Sequence, residues 1–182
     1  MARLPYVDAA TAPEPVRQIL DQLPVKLNVF RMMAHAENGF RPLVGLGTAI
    51  LARQQLSPKL RELTILRVAM LSDARYEWVQ HVPIAQATGA TAAQIAALER
   101  GEITADTFDA TERAVLRFAT EVLCDVRASE AAFTEVARHL SAQEIVELVV
   151  TVGYYMLIAR ILETTAVDLD PPSGTTVVDA LL

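Results

Sequence analysis

The chain has one cysteine, Cys124, only seven glycines, and aromatic residues at 5% of its 182 positions. A single cysteine forms no internal disulfide, no Cys-x-x-Cys redox pair and no cysteine zinc site. Scarce glycine argues against a loop-rich β fold. No uninterrupted apolar run reaches the roughly 18 residues that mark a membrane span. The longest stretch, IVELVVTVGYYMLIARIL, carries Glu147 and Arg160 and reads as a buried helix. Net charge is −6 with no cluster of lysine or arginine, so nucleic acid is not an expected partner. The opening MARLPYVDAATAPEP has no apolar core of a signal peptide. A cytoplasmic protein without a membrane partner is therefore the expectation.

What is abundant is aliphatic. Hydrophobic residues make up 52% of the chain, and a core of Ala, Leu, Val and Ile favours closely packed helices. The excess over what a small monomer needs points to a subunit interface. Helix signals divide the chain cleanly. Pro15 opens PVRQILDQL, Asn28 is placed to cap NVFRMMAHA, and Pro42 leads LVGLGTAILARQQ. Ser57-Pro58 opens KLRELTILRVAML, and Asp73 is placed to cap the next helix, closed by Gly89. Thr91 with Gln94, Asp109 with Glu112 and Ser141 with Glu144 have capping-box spacing, and Ser129 opens a further short helix. No alternating strand pattern is convincing. The expected fold is all-α, with eight or nine helices: an N-terminal extension over 1–14, a helical domain over 15–168 and an extended tail over 169–182 that packs on a neighbouring subunit.

Two helices carry the chemistry-bearing residues. The helix after Ser57 is apolar on nearly every side between Leu63 and Leu71, which predicts burial in the middle of a bundle. Glu62 shares a face with Ile65, Leu66 and Ala69, where a carboxylate is costly unless paired, hydrogen-bonded or protonated. A structural ion pair with Arg61, Arg67 or Arg75 is the plainer reading of Glu62. On the next helix, in RYEWVQHVPIA, Ala74, Glu77 and His81 fall on one stripe, with Pro83 breaking one backbone hydrogen bond. Glu77, one turn before His81, is placed to orient it. The plainer readings are a locally satisfied core histidine and, for Tyr76 and Trp78, packing. The single Glu-x-x-x-His is weak evidence for a metal, and no metal is expected.

The stretch LSPKLRELTILRVAMLSDARYEWVQHVPIAQATGAT resembles the core helix pair of the carboxymuconolactone decarboxylase / alkylhydroperoxidase D family. Arg61-Glu62-Leu63, Arg67, Tyr76-Glu77-Trp78 and His81 carry the likeness in order and spacing, within a similarity spanning roughly 15–170. The resemblance implies an alkylhydroperoxidase-D-like helical bundle and a homotrimer or hexamer. Peroxidase members pair a glutamate and a histidine with a Cys-x-x-Cys. Glu62 and His81 match the first two, but Ala74 and Glu77 stand at the cysteine positions. A dithiol cycle needs an attacking thiolate and a resolving thiol, and neither is present there.

The decarboxylase branch handles a small carboxylated lactone without thiols. The expectation is a thiol-independent, lyase-type acid–base enzyme on a small organic acid or lactone, without cofactor. His81, Glu62 and Glu77 are the expected catalytic residues. Tyr76, Arg67, His35 and Tyr154 are the expected substrate contacts. The alternatives are a peroxidase-like antioxidant protein relying on Cys124 and a non-catalytic ligand-binding oligomer. Arg160 is a further candidate for holding a carboxylate, and His139 reads as a residue at a helix C-terminus.

Overall fold

A computed structural model describes residues 1–180; positions 181–182, the end of the expected tail, lie outside the described residues. The described residues form ten helices and no strand: α1 (Glu14–Gln22), α2 (Asn28–Met33), α3 (Glu37–Arg53), α4 (Pro58–Leu71), α5 (Arg75–Ala87), α6 (Ala92–Glu99), α7 (Ala110–Asp125), α8 (Glu130–Val136), α9 (Ala142–Thr165) and the single turn α10 (Thr176–Asp179). The all-α class is as expected from the sequence.

The start signals work as local chemistry. Ser57 accepts from the Leu60 amide, and the pairs Thr91/Gln94, Asp109/Glu112 and Ser141/Glu144 each close a reciprocal capping box. Each such cap contributes about 1 kcal/mol by satisfying otherwise orphaned amides. Three signals act differently. Asp73 does not cap α5; Ala74 takes that position without a side-chain bond, and Asp73 has φ 53°. The reversal between α4 and α5 is so short that one residue must enter the left-handed region, which aspartate tolerates better than most. Asn28 is inside α2 and sends its amide to the Asp168 carbonyl instead. Pro42 lies within α3 rather than at its start.

α4 is the hub. Every residue from Arg61 to Ala69 is buried, and the helix packs against α5, α6, α7 and α9. An apolar surface on all sides is stable only when other helices cover it. Three apolar clusters surround it. One joins α1, α2, α3 and the C-terminal half of α9; one joins α4, α5, α6 and Phe108, with Trp78 packed on its edge; the third joins α7, α8 and the start of α9 around Leu56. By length and composition α9 could cross a membrane, but half of its apolar window is buried within the molecule.

The two ends of the described chain meet. The Arg3 amide donates to the Thr165 carbonyl, and the Tyr6 hydroxyl and Asp168 bond to each other. Residues 168–173 then run back over α2 and α5. The first part of the expected tail, residues 170–173, is hydrogen-bonded to its own chain.

Candidate active site

The α4–α5 hairpin sets the geometry. With only a three-residue reversal, the two helices lie side by side and antiparallel, so Glu62 near the start of α4 faces His81 in the second half of α5. The Glu62 carboxylate is fully buried. Its Oε2 is 2.8 Å from His81 Nδ1 and its Oε1 accepts from Arg61 Nε at 2.9 Å. Arg61 also donates to the Leu51 carbonyl at 2.8 Å. The carboxylate therefore has partners on both oxygens, which offsets much of its desolvation. Facing a carboxylate, Nδ1 carries the ring proton, and Nε2 is left as the basic nitrogen. Nε2 has no protein partner among the described residues, and 9% of the residue remains exposed. The ring sits edge-on to Tyr155, with centroids 4.9 Å apart.

His81 borders a cavity of about 110 Å³ between α1–α2, α3, α5 and α9. Its walls are almost entirely apolar, including Phe30, Leu51, Ile84 and Ile158, with Tyr76, Glu77, Gln80, Tyr154 and Tyr155 as polar interruptions. Gly47 keeps one wall open: a Cβ there would come within 2.5 Å of the Tyr154 hydroxyl, which donates to the Leu43 carbonyl. Burial raises the Tyr154 phenol to about 12 and the Tyr155 phenol well above its ordinary value. Both are protonated donors at neutral pH.

Glu77 does not orient His81 as the sequence suggested; Glu62 holds that place. Glu77 lines the cavity at 2% exposure, with both carboxyl oxygens sealed from solvent and unpartnered. Burial, and then the nearby Glu163, push its carboxyl well above the ordinary glutamate range. The i,i+4 spacing brought the residues together, but the carboxylate from α4 reaches the imidazole first.

The other expected contacts divide. Tyr154 lines the cavity, as does Tyr76, whose hydroxyl is turned to Asp170. Arg67 is not at the cavity: its Nε donates to Thr120 and its guanidinium approaches the Gly101 carbonyl, on the far side of α4. From Leu63 onwards α4 turns successive residues to different neighbours, and position 67 faces α7. His35 is exposed and bonded to the Pro5 carbonyl at 2.7 Å, away from the cavity. Arg160 is exposed and donates to the Met156 carbonyl; His139 lies beyond α8 and bonds Thr111. Cys124 is exposed on α7.

Of the three arginines the sequence offered as partners of Glu62, Arg61 is the one that pairs with it. Two contributors went unnoticed in the sequence. Gln80 donates to the Asp170 and Pro171 carbonyls and accepts from the Ser173 amide and hydroxyl. Asp170 accepts from Tyr76 and, at 2.6 Å, from the Asn28 amide. Residues 170–173 thus form a strap at the cavity, where Ser173 is part of the lining. Nothing local in the sequence foretells these contacts across some ninety residues.

Comparison with known proteins places this arrangement. The model of the Carboxymuconolactone decarboxylase family matches residues 39–121, the segment that contains α4 and α5. No curated protein matches. Among solved structures, the alkylhydroperoxidase AhpD core, an uncharacterized peroxidase-related protein from Ralstonia eutropha JMP134, superposes with a TM-score of 0.79 at 21% identity, covering 100% of this chain and 97% of that one. A peroxidase-related protein from Silicibacter sp. TM1040 gives 0.77 at 18% identity, covering 93% and 92%. The debrominase Bmp8 in complex with 2,3,4-tribromopyrrole gives 0.76 at 19% identity, covering 100% of both. Residues 39–121 thus resemble the carboxymuconolactone decarboxylase family, in a chain that has the fold of the alkylhydroperoxidase AhpD-like structures.

Proposed function

We propose that the protein is a thiol-independent acid–base enzyme of lyase type, acting on a small organic acid or lactone in the α3–α5–α9 cavity. One observation carries this reading: the 2.8 Å contact between a buried Glu62 carboxylate and His81 Nδ1, at the wall of an apolar cavity. A carboxylate on one imidazole nitrogen fixes the tautomer and favours the imidazolium that forms when the other nitrogen takes a proton. His81 is the general base, and in the return step the general acid. Glu62 positions it, and Arg61 holds Glu62. Catalysis of this kind contributes about 10²–10⁴-fold. A neighbour of the same fold is described in complex with tribromopyrrole, which supports a small planar ligand for such a cavity.

The peroxidase alternative is less well supported. Ala74 and Glu77 provide no thiol beside His81, and exposed Cys124 does not line the cavity. A non-catalytic ligand-binding oligomer remains the second reading, because an apolar cavity suits a bound metabolite equally well. Cytoplasmic location and assembly as a homotrimer or hexamer belong to the same proposal.

The test is proton exchange. Wild-type protein in D₂O with a panel of small five- and six-membered lactones is expected to place deuterium beside the carbonyl of at least one, followed by NMR. His81→Gln is expected to lower that rate by about 100-fold or more. Equal exchange by wild type and variant, or none with any lactone, sinks the acid–base reading.

A further inference from the structure

We infer that Glu77 is an uncharged carboxylic acid whose O–H receives a carbonyl oxygen of the ligand, so that the cavity selects small neutral carbonyl compounds over carboxylates. This rests on the acid–base reading and on the same cavity, but not on turnover, and it narrows the substrate from an organic acid or lactone to the lactone.

Three glutamates are buried among the described residues. Glu62 has Arg61 and His81. Glu112 has Lys59 at 2.6 Å, the Gln94 amide at 2.8 Å and the Asp109 backbone amide at 2.9 Å. Glu77 is as buried as either, yet neither oxygen has a partner among the described residues. A buried charge without a donor is avoided by taking up a proton. The groups around it reinforce that choice. Its own helix presents His81 and Tyr76 to the same cavity, α9 presents Tyr154 and Tyr155, and Glu163 is the charged group that acts on Glu77, while Arg61 and Glu62 on α4 act on Tyr155. The one guanidinium in this set, Arg61, is already held by Glu62 and the Leu51 carbonyl.

Both Glu77 oxygens are covered, so the side chain turns to offer its O–H, and an O–H without an acceptor gains a hydrogen bond when a ligand carbonyl meets it. The walls leave mainly apolar surface for the rest of the ligand. A ligand carboxylate would meet no lysine or arginine among the lining residues and would lie beside the Glu77 carboxyl. A ketone, ester or lactone carbonyl loses little on desolvation and satisfies the Glu77 proton. Glu77 and His81 are one helical turn apart, which puts their Cβ atoms about 5–6 Å from each other. A carbonyl oxygen at Glu77 therefore brings the adjacent carbon towards His81 Nε2. When that C–H bond breaks, its proton goes to Nε2 and its electron pair forms the C=C bond. The carbonyl π pair moves onto oxygen, which stays hydrogen-bonded to Glu77. His81 then returns the proton to carbon, so no co-reactant is consumed.

Two measurements test this without any reaction. First, the infrared difference spectrum between wild type and Glu77→Gln at neutral pH is expected to contain the C=O stretch of a protonated carboxylic acid; carboxylate bands in its place overturn the inference. Second, acetophenone, benzoate and ethylbenzene are titrated by calorimetry. Wild type is expected to bind acetophenone about tenfold more tightly than ethylbenzene, the worth of one buried hydrogen bond, and to bind benzoate more weakly than acetophenone. Glu77→Leu is expected to fold, since it removes an unsatisfied buried group, and to lose the preference for acetophenone over ethylbenzene. Benzoate binding as tight as acetophenone, or acetophenone binding no tighter than ethylbenzene, overturns it. Lost proton exchange in the earlier test leaves these results standing, so the two readings fail separately.

Discussion

Among individual residues, the difference between Glu62 and Glu77 is a difference in partners rather than in burial. Both are almost fully enclosed, but only Glu62 has a cation and an imidazole to hold its charge. Glu77 therefore links stability to pH. Its folded-state carboxyl keeps a proton above the ordinary value of 4.5, so the unfolded chain releases that proton first. Stability is then lost as pH rises through about 4.5 and upwards, until the folded group also ionises, with a slope of about 1.4 kcal/mol per pH unit. Glu77→Gln removes this term. Urea unfolding across a pH series is expected to show the variant gaining on wild type as pH rises. A stability difference that stays constant with pH contradicts a protonated Glu77.

Elements decide access to the site. The α4–α5 hairpin supplies Glu62 and His81, and its α4 arm is buried throughout from Arg61 to Ala69, so it is a rigid platform. The strap over 170–173 is different: it is held at the cavity by side-chain hydrogen bonds from Tyr76 and Gln80 and by the Asn28 amide. Segments secured by few buried apolar contacts open at lower free energy than the core. Gln80→Leu removes its hydrogen bonds to the strap and replaces them with none. Hydrogen–deuterium exchange at the Ser173 amide is expected to accelerate about fivefold or more, the equivalent of about 1 kcal/mol, while amides of α4 stay unchanged. An unchanged Ser173 amide would mean that the strap is secured elsewhere.

At the scale of the whole molecule, the surplus of aliphatic residues has a location. Val146, Val149, Val150 and Leu157 lie on one face of α9 and are 61%, 42%, 37% and 42% exposed, with Gly153 between them and open space where its Cβ would be. The other face of the same helix is core. An uninterrupted apolar stripe on a long helix fits the proposal of a homo-oligomer, and the missing Cβ at Gly153 allows close approach of a second helix. Val150→Glu places a charge in that stripe without touching the cavity. Light scattering is expected to show wild type as an oligomer and the variant shifted towards monomer. A monomeric wild type would remove the assembly proposal.

Much of this was legible in the sequence because it depends on neighbours along the chain. Capping boxes act over three residues, and helix faces repeat every three or four, so the helices and the burial of α4 followed from spacing, and the candidacy of Glu62 and His81 from spacing together with the family resemblance. Spacing also misled. It made Glu77 the partner of His81, when a carboxylate from the adjacent helix occupies that nitrogen, and it left Arg67 among the ligand contacts, when α4 turns it towards Thr120. The folding-back of Asp170 and Ser173 onto Tyr76 and Gln80 was invisible for the same reason. The sequence by itself determined an all-helical chain with a thiol-free glutamate–histidine pair. Only the tertiary structure decided which carboxylate is paired and which is left without a partner, because that depends on groups brought together from distant parts of the chain.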